Sequence, residues 1–138
     1  MTHATDPKDN AVVDWTSVLS QFDGRQEFVT KLAGIALQAY ADLPEKIAQA
    51  MVERDLQNLG LLAHNVKGIC ANFHAPKVLA LARETETNAK DDNAALALPR
   101  AEKLVPLVRT LIDNIAEWRQ GHVCDNPRTK PESARRRP

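Results

Sequence analysis

Residues 55–73 read DLQNLGLLAHNVKGICANF, and this stretch decides the fold. At about 100° per residue, its apolar side chains fall on one broad face. Asp55 is a residue type that caps helix N-termini. The stretch therefore predicts an amphipathic helix whose apolar face lies in a core. His64 points away from that face, so we expect it in solvent. The predicted core residues are Leu59, Leu62, Ala63, Val66, Ile69, Cys70 and Phe73.

The same helical spacing continues on both sides of this stretch, without the alternation typical of strands. It predicts helices over 13–21, 25–53, 75–90 and 93–119. Four main amphipathic helices joined by short loops predict an all-α, antiparallel four-helix bundle with an additional short N-terminal helix. Pro99 and Pro106 weaken the prediction for the first half of the last helix, because an internal proline removes a backbone hydrogen bond. The inward residues of that helix are predicted to be Leu104, Leu107, Val108, Leu111, Ile115 and Trp118.

The predicted helix over 25–53 contains Pro44, which interrupts its hydrogen bonding. We expect a kink there rather than a break, since the apolar stripe resumes in phase at Ile47. The inward face of this helix is predicted to carry Phe28, Leu32, Ile35, Ala39, Leu43 and Ala50.

A length of 138 residues suits one domain, and 43% hydrophobic residues suffice for one core. We expect a flexible N-terminus over 1–11, the helical domain over 12–120 and a disordered tail over 121–138. The tail is basic, with a net charge of +3, which leaves −3 on residues 1–120. A mildly acidic body excludes general nucleic-acid binding, because affinity for phosphate backbones needs a clustered basic face.

Two cysteines, Cys70 and Cys124, are too few for a disulfide framework, and we expect both to be reduced thiols. The N-terminus lacks an apolar signal region, and no apolar run approaches the roughly 20 residues of a membrane helix. These features predict a cytoplasmic protein that does not enter a membrane. We also expect a monomer.

The surroundings of His64 suggest a docking surface. Gly60 and Gly68 lie one turn before and one turn after it, although a glycine inside a helix costs roughly 1 kcal/mol relative to alanine. Glycines at these two positions leave room for another surface to approach the helix closely. Leu61 and Ala71 fall on the same side. We therefore predict a docking strip formed by Gly60, Leu61, Gly68 and Ala71, with the imidazole standing above it.

The chemistry available at this strip is that of a phosphoryl carrier. A neutral imidazole is a competent nucleophile at cellular pH. Lys67 lies three residues after His64, a spacing at which helical side chains meet, so its ammonium can reach a group attached to the ring. The sequence shows neither a carboxylate cluster for magnesium nor a glycine-rich phosphate loop. We expect a carrier without ATP-dependent kinase activity, which has no cofactor of its own and takes magnesium from its partner.

Residues 63–75, AHNVKGICANFHA, resemble the signature of histidine phosphotransfer (HPt) domains. That family reads Ala-His-x-apolar-Lys-Gly, followed by small residues and an apolar-Gly-small ending. Residues 13–15 resemble the entry to the family's first helix, and residues 81–86 resemble the helix that follows the histidine helix. The resemblance covers roughly residues 12–119.

This resemblance implies that His64 is phosphorylated, that Lys67 neutralises the phosphoryl group and that Gly68 admits a receiver domain. The chain would then accept the group from a receiver aspartate and pass it to another response regulator, as a two-component phosphorelay intermediate. Response-regulator receiver domains are the expected partners, with a hybrid sensor kinase as a further candidate. The sequence fits both a free-standing protein and the end of a hybrid kinase.

Two departures from the family pattern concern the packing around the site. His74 stands where the family commonly has glycine, at a position that is often left-handed, so the helix exit is expected to differ. Ile69 replaces a smaller residue. Neither change touches the nucleophile.

Two alternatives compete with the carrier. A helical adaptor would bind or sequester a receiver without phosphotransfer, but it would need neither His64 nor Lys67. A helical metal or ligand carrier is also disfavoured, because Cys70 falls on the core face and His64 on the opposite face.

Overall fold

The structure, a computed structural model, describes residues 11–123. Six α-helices and no strands form this part of the chain. The helices are α1 (Trp15–Gln21), α2 (Gln26–Tyr40), α3 (Leu43–Glu53), α4 (Leu56–Phe73), α5 (Pro76–Lys90) and α6 (Ala94–Val123). None of the six is both long and apolar enough to cross a membrane.

The helices form a bundle in which α3, α4, α5 and α6 each pack against the next, and α6 closes the ring on α3. Helix α2 packs on α6, and α1 contacts α2 and α4. The apolar side chains of all six helices meet in one core, and its largest fully buried members include Phe73, Leu43, Ile47, Leu59, Leu104, Leu111 and Ile115. The all-α bundle predicted from the sequence is confirmed.

Helix α4 forms as its sequence predicts. The Asp55 carboxylate accepts a hydrogen bond from the Asn58 backbone N–H at 3.1 Å, which satisfies one of the free donors of the first turn. All seven residues of the predicted apolar face are buried. Because the core holds this face, the opposite face, with His64, is fixed toward the surface.

The expected kink at Pro44 is wrong, since the chain breaks into two helices there. Helix α2 ends at Tyr40, and α3 begins at Leu43 with Pro44 in its first turn. In the first turn a proline loses nothing, because that backbone N–H would have no partner inside the helix. Residues 41–42 form a turn between the two helices.

The predicted inward face of α2 is also wrong by one position. Val29, Ala33 and Ala36 are the buried residues of this helix, whereas Phe28 is partly exposed and Ile35 is 63% exposed. Small alanines bury little area each, but they form most of the face with which α2 packs into the core. The hydrophobicity pattern gives more weight to larger side chains, so it does not predict a buried face made mainly of alanines.

Helix α6 runs through both prolines, so the doubt about its first half is resolved in favour of a helix. It also continues to Val123, three residues into the range predicted as a tail. The remainder of that predicted tail, with Cys124, and residues 1–10 of the predicted flexible N-terminus lie outside the described residues.

The C-terminal end of α4 contacts the short first helix and holds it against the bundle. The expected difference in the helix exit is wrong for the backbone, because His74 takes the left-handed conformation, with φ 41°, that a glycine commonly takes at this position. Its carbonyl accepts a hydrogen bond from the Asp14 N–H at 2.9 Å, and its imidazole contacts the Gln21 side chain. Both contacts tie His74 to α1, and they oppose the cost of a non-glycine residue in this region.

Candidate functional site

His64 lies near the middle of α4, and its side chain is 66% exposed, which agrees with the helical wheel. The ring is not bare, however. Its Nδ1 atom lies 3.1 Å from Oε2 of Glu86, a residue of the neighbouring helix α5. The Glu86 side chain is only 6% exposed. A nearly buried carboxylate therefore holds one nitrogen of an otherwise accessible imidazole.

Glu86 also contacts two ammonium groups. Lys67 donates a hydrogen bond to its Oε1 at 2.7 Å, and Lys90 Nζ lies 3.1 Å from its Oε2. The carboxylate thus joins side chains from α4 and α5. We call His64, Lys67, Glu86 and Lys90 the Glu86 cluster.

The hydrogen bond from Lys67 is the main cause that lowers the pKa of Glu86 from 4.5 to about 2. Lys90 and His64 act in the same direction, and burial of the carboxyl opposes them. Glu86 is therefore ionised at neutral pH and can only accept hydrogen bonds. It follows that His64 Nδ1 carries a proton when it bonds to Glu86, which leaves Nε2 as the nitrogen with a free lone pair.

Lys67 lies in the site, but its partner is not the one expected from its spacing. The sequence places it within reach of a group on the His64 ring, and in the structure its ammonium is directed to Glu86. The Lys67 side chain remains 32% exposed. It can therefore reach a group on Nε2 only by sharing or leaving its carboxylate partner.

The predicted docking strip is exposed at three of its four positions. Leu61 is 62% exposed, and Gly68 and Ala71 are exposed as well. Gly60 is buried, so its place on the exposed strip is a wrong prediction. A Cβ atom at Gly60 would lie 3.5 Å from the Ala89 side chain, and one at Gly68 would meet nothing within 4 Å. The first glycine faces α5, and the second faces solvent.

A groove of about 550 Å³ runs along α4 and α5 beside the imidazole. Its lining combines apolar and charged side chains. The lining residues are Leu56, Gln57, Gly60, Leu61, His64, Glu86, Ala89, Lys90 and Asp92. A surface that combines an exposed Leu61 with an accessible nucleophile suits contact with a protein partner.

Sequence reasoning missed Glu86 and Lys90, although a signal for both was present. The turn between α4 and α5 is very short, so residues equally distant from it face each other in an antiparallel pair. This register brings Gly60 to Ala89 and His64 to Glu86, as observed. The four-residue spacing from Glu86 to Lys90 then predicts an ion pair on one helix face.

Metal ligands are not grouped in the part of the chain that the structure describes. Within 11–123, no three His, Cys, Asp or Glu side chains are placed to hold one ion. Cys70 is buried in the core, and burial raises the pKa of its thiol to about 12, so it is a poor source of thiolate. The absence of a metal of its own stays a prediction for the whole chain.

A sequence model of the Hpt domain family matches residues 31–118, which include helices α3, α4 and α5 and most of α2 and α6. The chain therefore belongs to the Hpt domain family. Membership assigns it a histidine-containing phosphotransfer role in two-component signalling, in which Hpt domains act as carriers and not as kinases. Searches of curated proteins and of solved structures found no significant match.

The depressed pKa of Glu86 predicts an acid-sensitive contribution to stability. A carboxyl with a folded-state pKa near 2 and an ordinary value of 4.5 stabilises the fold fully above pH 4.5 and loses this effect as the pH falls toward 2. We expect wild type to exceed Glu86→Gln in free energy of unfolding by up to about 3 kcal/mol at pH 5, with the difference shrinking toward pH 2.

Denaturant titrations of both proteins between pH 5 and pH 2 measure this difference. Glu84→Gln is the matched control, since Glu84 lies on the same helix but pairs with Arg100 at the exposed surface. A difference between wild type and Glu86→Gln that stays constant over this range would show that the carboxylate contacts do not stabilise the fold.

Proposed function

We propose that His64 accepts a phosphoryl group on Nε2 from a receiver-domain aspartate and passes it to the aspartate of another response regulator. The observation that carries this proposal is the hydrogen bond between His64 Nδ1 and the ionised Glu86. It supports one tautomer, in which the exposed ring keeps its nucleophilic lone pair on Nε2.

The transfer step follows from this arrangement. The Nε2 lone pair attacks the phosphorus of the aspartyl phosphate, a P–N bond forms, and the P–O bond to the aspartate breaks. The aspartate leaves as a carboxylate. Because Nδ1 keeps its proton, the ring becomes cationic, and Glu86 is placed to stabilise that charge. The reverse step, with a second aspartate as nucleophile, discharges the carrier.

Lys67 is the proposed partner of the phosphoryl oxygens. Its ammonium already lies in the Glu86 cluster and is partly exposed. A solvent-exposed ion pair between this ammonium and a phosphoryl group contributes at most about 1 kcal/mol, which orients the group without trapping it. A weak hold suits a carrier that must release its cargo.

The partner is proposed to be a receiver domain that docks over Leu61, Gly68 and Ala71 and reaches His64. Magnesium is expected to come with the receiver, since Glu86 is already bonded to two ammonium groups and one imidazole N–H and is poorly suited as a metal ligand. When bound there, the ion would neutralise charge on the transferred group. The cytoplasmic location and the monomeric state stay predictions.

Phosphate labelling tests the assignment of His64. The protein is incubated with magnesium and a panel of receiver domains phosphorylated on aspartate, and protein-bound phosphate is then measured. We expect acid-labile, alkali-stable label on wild type and on His74→Gln, and none on His64→Gln, because only His64 has an exposed nucleophilic nitrogen in the cluster.

Label that persists in His64→Gln would refute the assignment. Stable binding of a phosphorylated receiver without any label on wild type would favour the adaptor alternative, in which the bundle sequesters its partner.

Substitutions of the two glycines beside His64 are predicted to distinguish an effect on stability from an effect on receiver docking. Both Gly60→Ala and Gly68→Ala should raise the free energy of unfolding by about 1 kcal/mol, because each replaces a helical glycine without a close contact. Only Gly68→Ala adds a methyl group to the exposed surface, so only it should slow transfer, by roughly tenfold or more.

Denaturation curves and single-turnover transfer rates measure the two effects. Equal transfer rates for Gly68→Ala and wild type would remove Gly68 from the docking surface, and a rate as low for Gly60→Ala would show that buried packing controls the reaction instead.

A further inference from the structure

Lys90 shares an acceptor atom with the imidazole. Its Nζ lies 3.1 Å from Glu86 Oε2, and His64 Nδ1 lies 3.1 Å from that same oxygen. Lys90 also lines the groove beside His64, and its side chain is 70% exposed. It reaches the cluster from α5, whereas His64 and Lys67 reach it from α4.

The charges of the resting cluster do not balance. One carboxylate, that of Glu86, faces two ammonium groups and one N–H donor, so the cluster carries a net charge of +1 when the imidazole is neutral. Lys67 alone would neutralise Glu86. An excess cation beside a nearly buried carboxylate gives the cluster a positive charge that favours binding of an anion.

The charges do balance once Nε2 carries a phosphoryl group. That group brings a charge of about −1.5 to −2, and the ring gains +1 because Nδ1 keeps its proton. With Glu86 at −1 and the phosphoryl group as the dianion, both ammonium groups are needed to bring the sum to about zero. With Lys67 alone, the site that carries the dianion would keep a charge of about −1.

We propose that Lys90 is a second phosphoryl-binding residue, held on Glu86 in the unphosphorylated protein and available to the phosphoryl group on His64 after transfer. This inference rests on the proposed function of His64. The cationic ring then holds Glu86, and the exposed, flexible Lys90 side chain turns to the phosphoryl oxygens by rotation about its own bonds.

The test measures the phosphoryl group itself. His64 is phosphorylated by a phosphorylated receiver with magnesium, or chemically with phosphoramidate, and the pH titration of the phosphohistidine is followed by ³¹P NMR. A nearby cation favours the dianion and lowers the pKa of the phosphoryl group. Lys90→Gln should therefore raise the pKa of the phosphoryl group. The acid dissociation constant of that group should fall about two- to fivefold, with a smaller effect at high salt.

Two further variants make the result specific. Lys90→Arg keeps the cation and should titrate like wild type. Lys77→Gln removes one charge from the other end of α5, and it should also titrate like wild type. A second readout is the equilibrium between phosphorylated carrier and phosphorylated receiver, which Lys90→Gln should shift about two- to fivefold toward the receiver.

A titration and an equilibrium that are the same in Lys90→Gln and wild type would overturn the role of Lys90 while leaving His64 as the acceptor. Equal shifts in Lys90→Gln and Lys77→Gln would also overturn it, since net charge alone would explain them. Failure of wild type to take up phosphate on His64 from either donor would instead remove the proposed function, and the role of Lys90 with it.

Discussion

The carboxylate of Glu86 is the constraint on which the site depends. It is nearly buried between α4 and α5, and a charge in that position is stable only because three cationic or N–H groups surround it. In return it fixes the imidazole of His64 by one nitrogen and holds Lys67 beside it. The cluster thus links the packing of two helices to the orientation of one nucleophile.

This arrangement explains how a simple bundle can serve group transfer. The core face of α4 is wholly apolar and fixes the helix, so that His64 stands on the outer face with most of its surface accessible. Little catalytic machinery is needed beyond position and charge, since phosphoryl transfer depends mainly on both. Membership of the Hpt domain family agrees with a carrier of this kind.

Much of the fold could be predicted from the sequence because α4 has a strong helical period and a clear cap at Asp55. The errors arose where the signal was weak. In α2, small alanines form the buried face, and the larger Ile35 lies outside. At Pro44, an uninterrupted apolar stripe hid a helix boundary, because periodicity does not depend on where the backbone hydrogen bonds stop.

The site divides in the same way. The exposure of His64 and the nearness of Lys67 follow from positions on one helix, and helical geometry suffices to predict them. Glu86 and the burial of Gly60 depend on how α5 lies against α4. Because that contact joins two helices, predicting it requires the register that the turn sets between them. The residue pattern of either helix alone is not enough.

The most direct test of the central claim is the tautomer of His64, read from ¹⁵N chemical shifts of its ring at a pH where the imidazole is neutral. The account predicts a proton on Nδ1 and a lone pair on Nε2 in wild type, with a loss of this preference in Glu86→Ala, which removes the acceptor. A proton found mainly on Nε2, or the same tautomer ratio in both proteins, would contradict it.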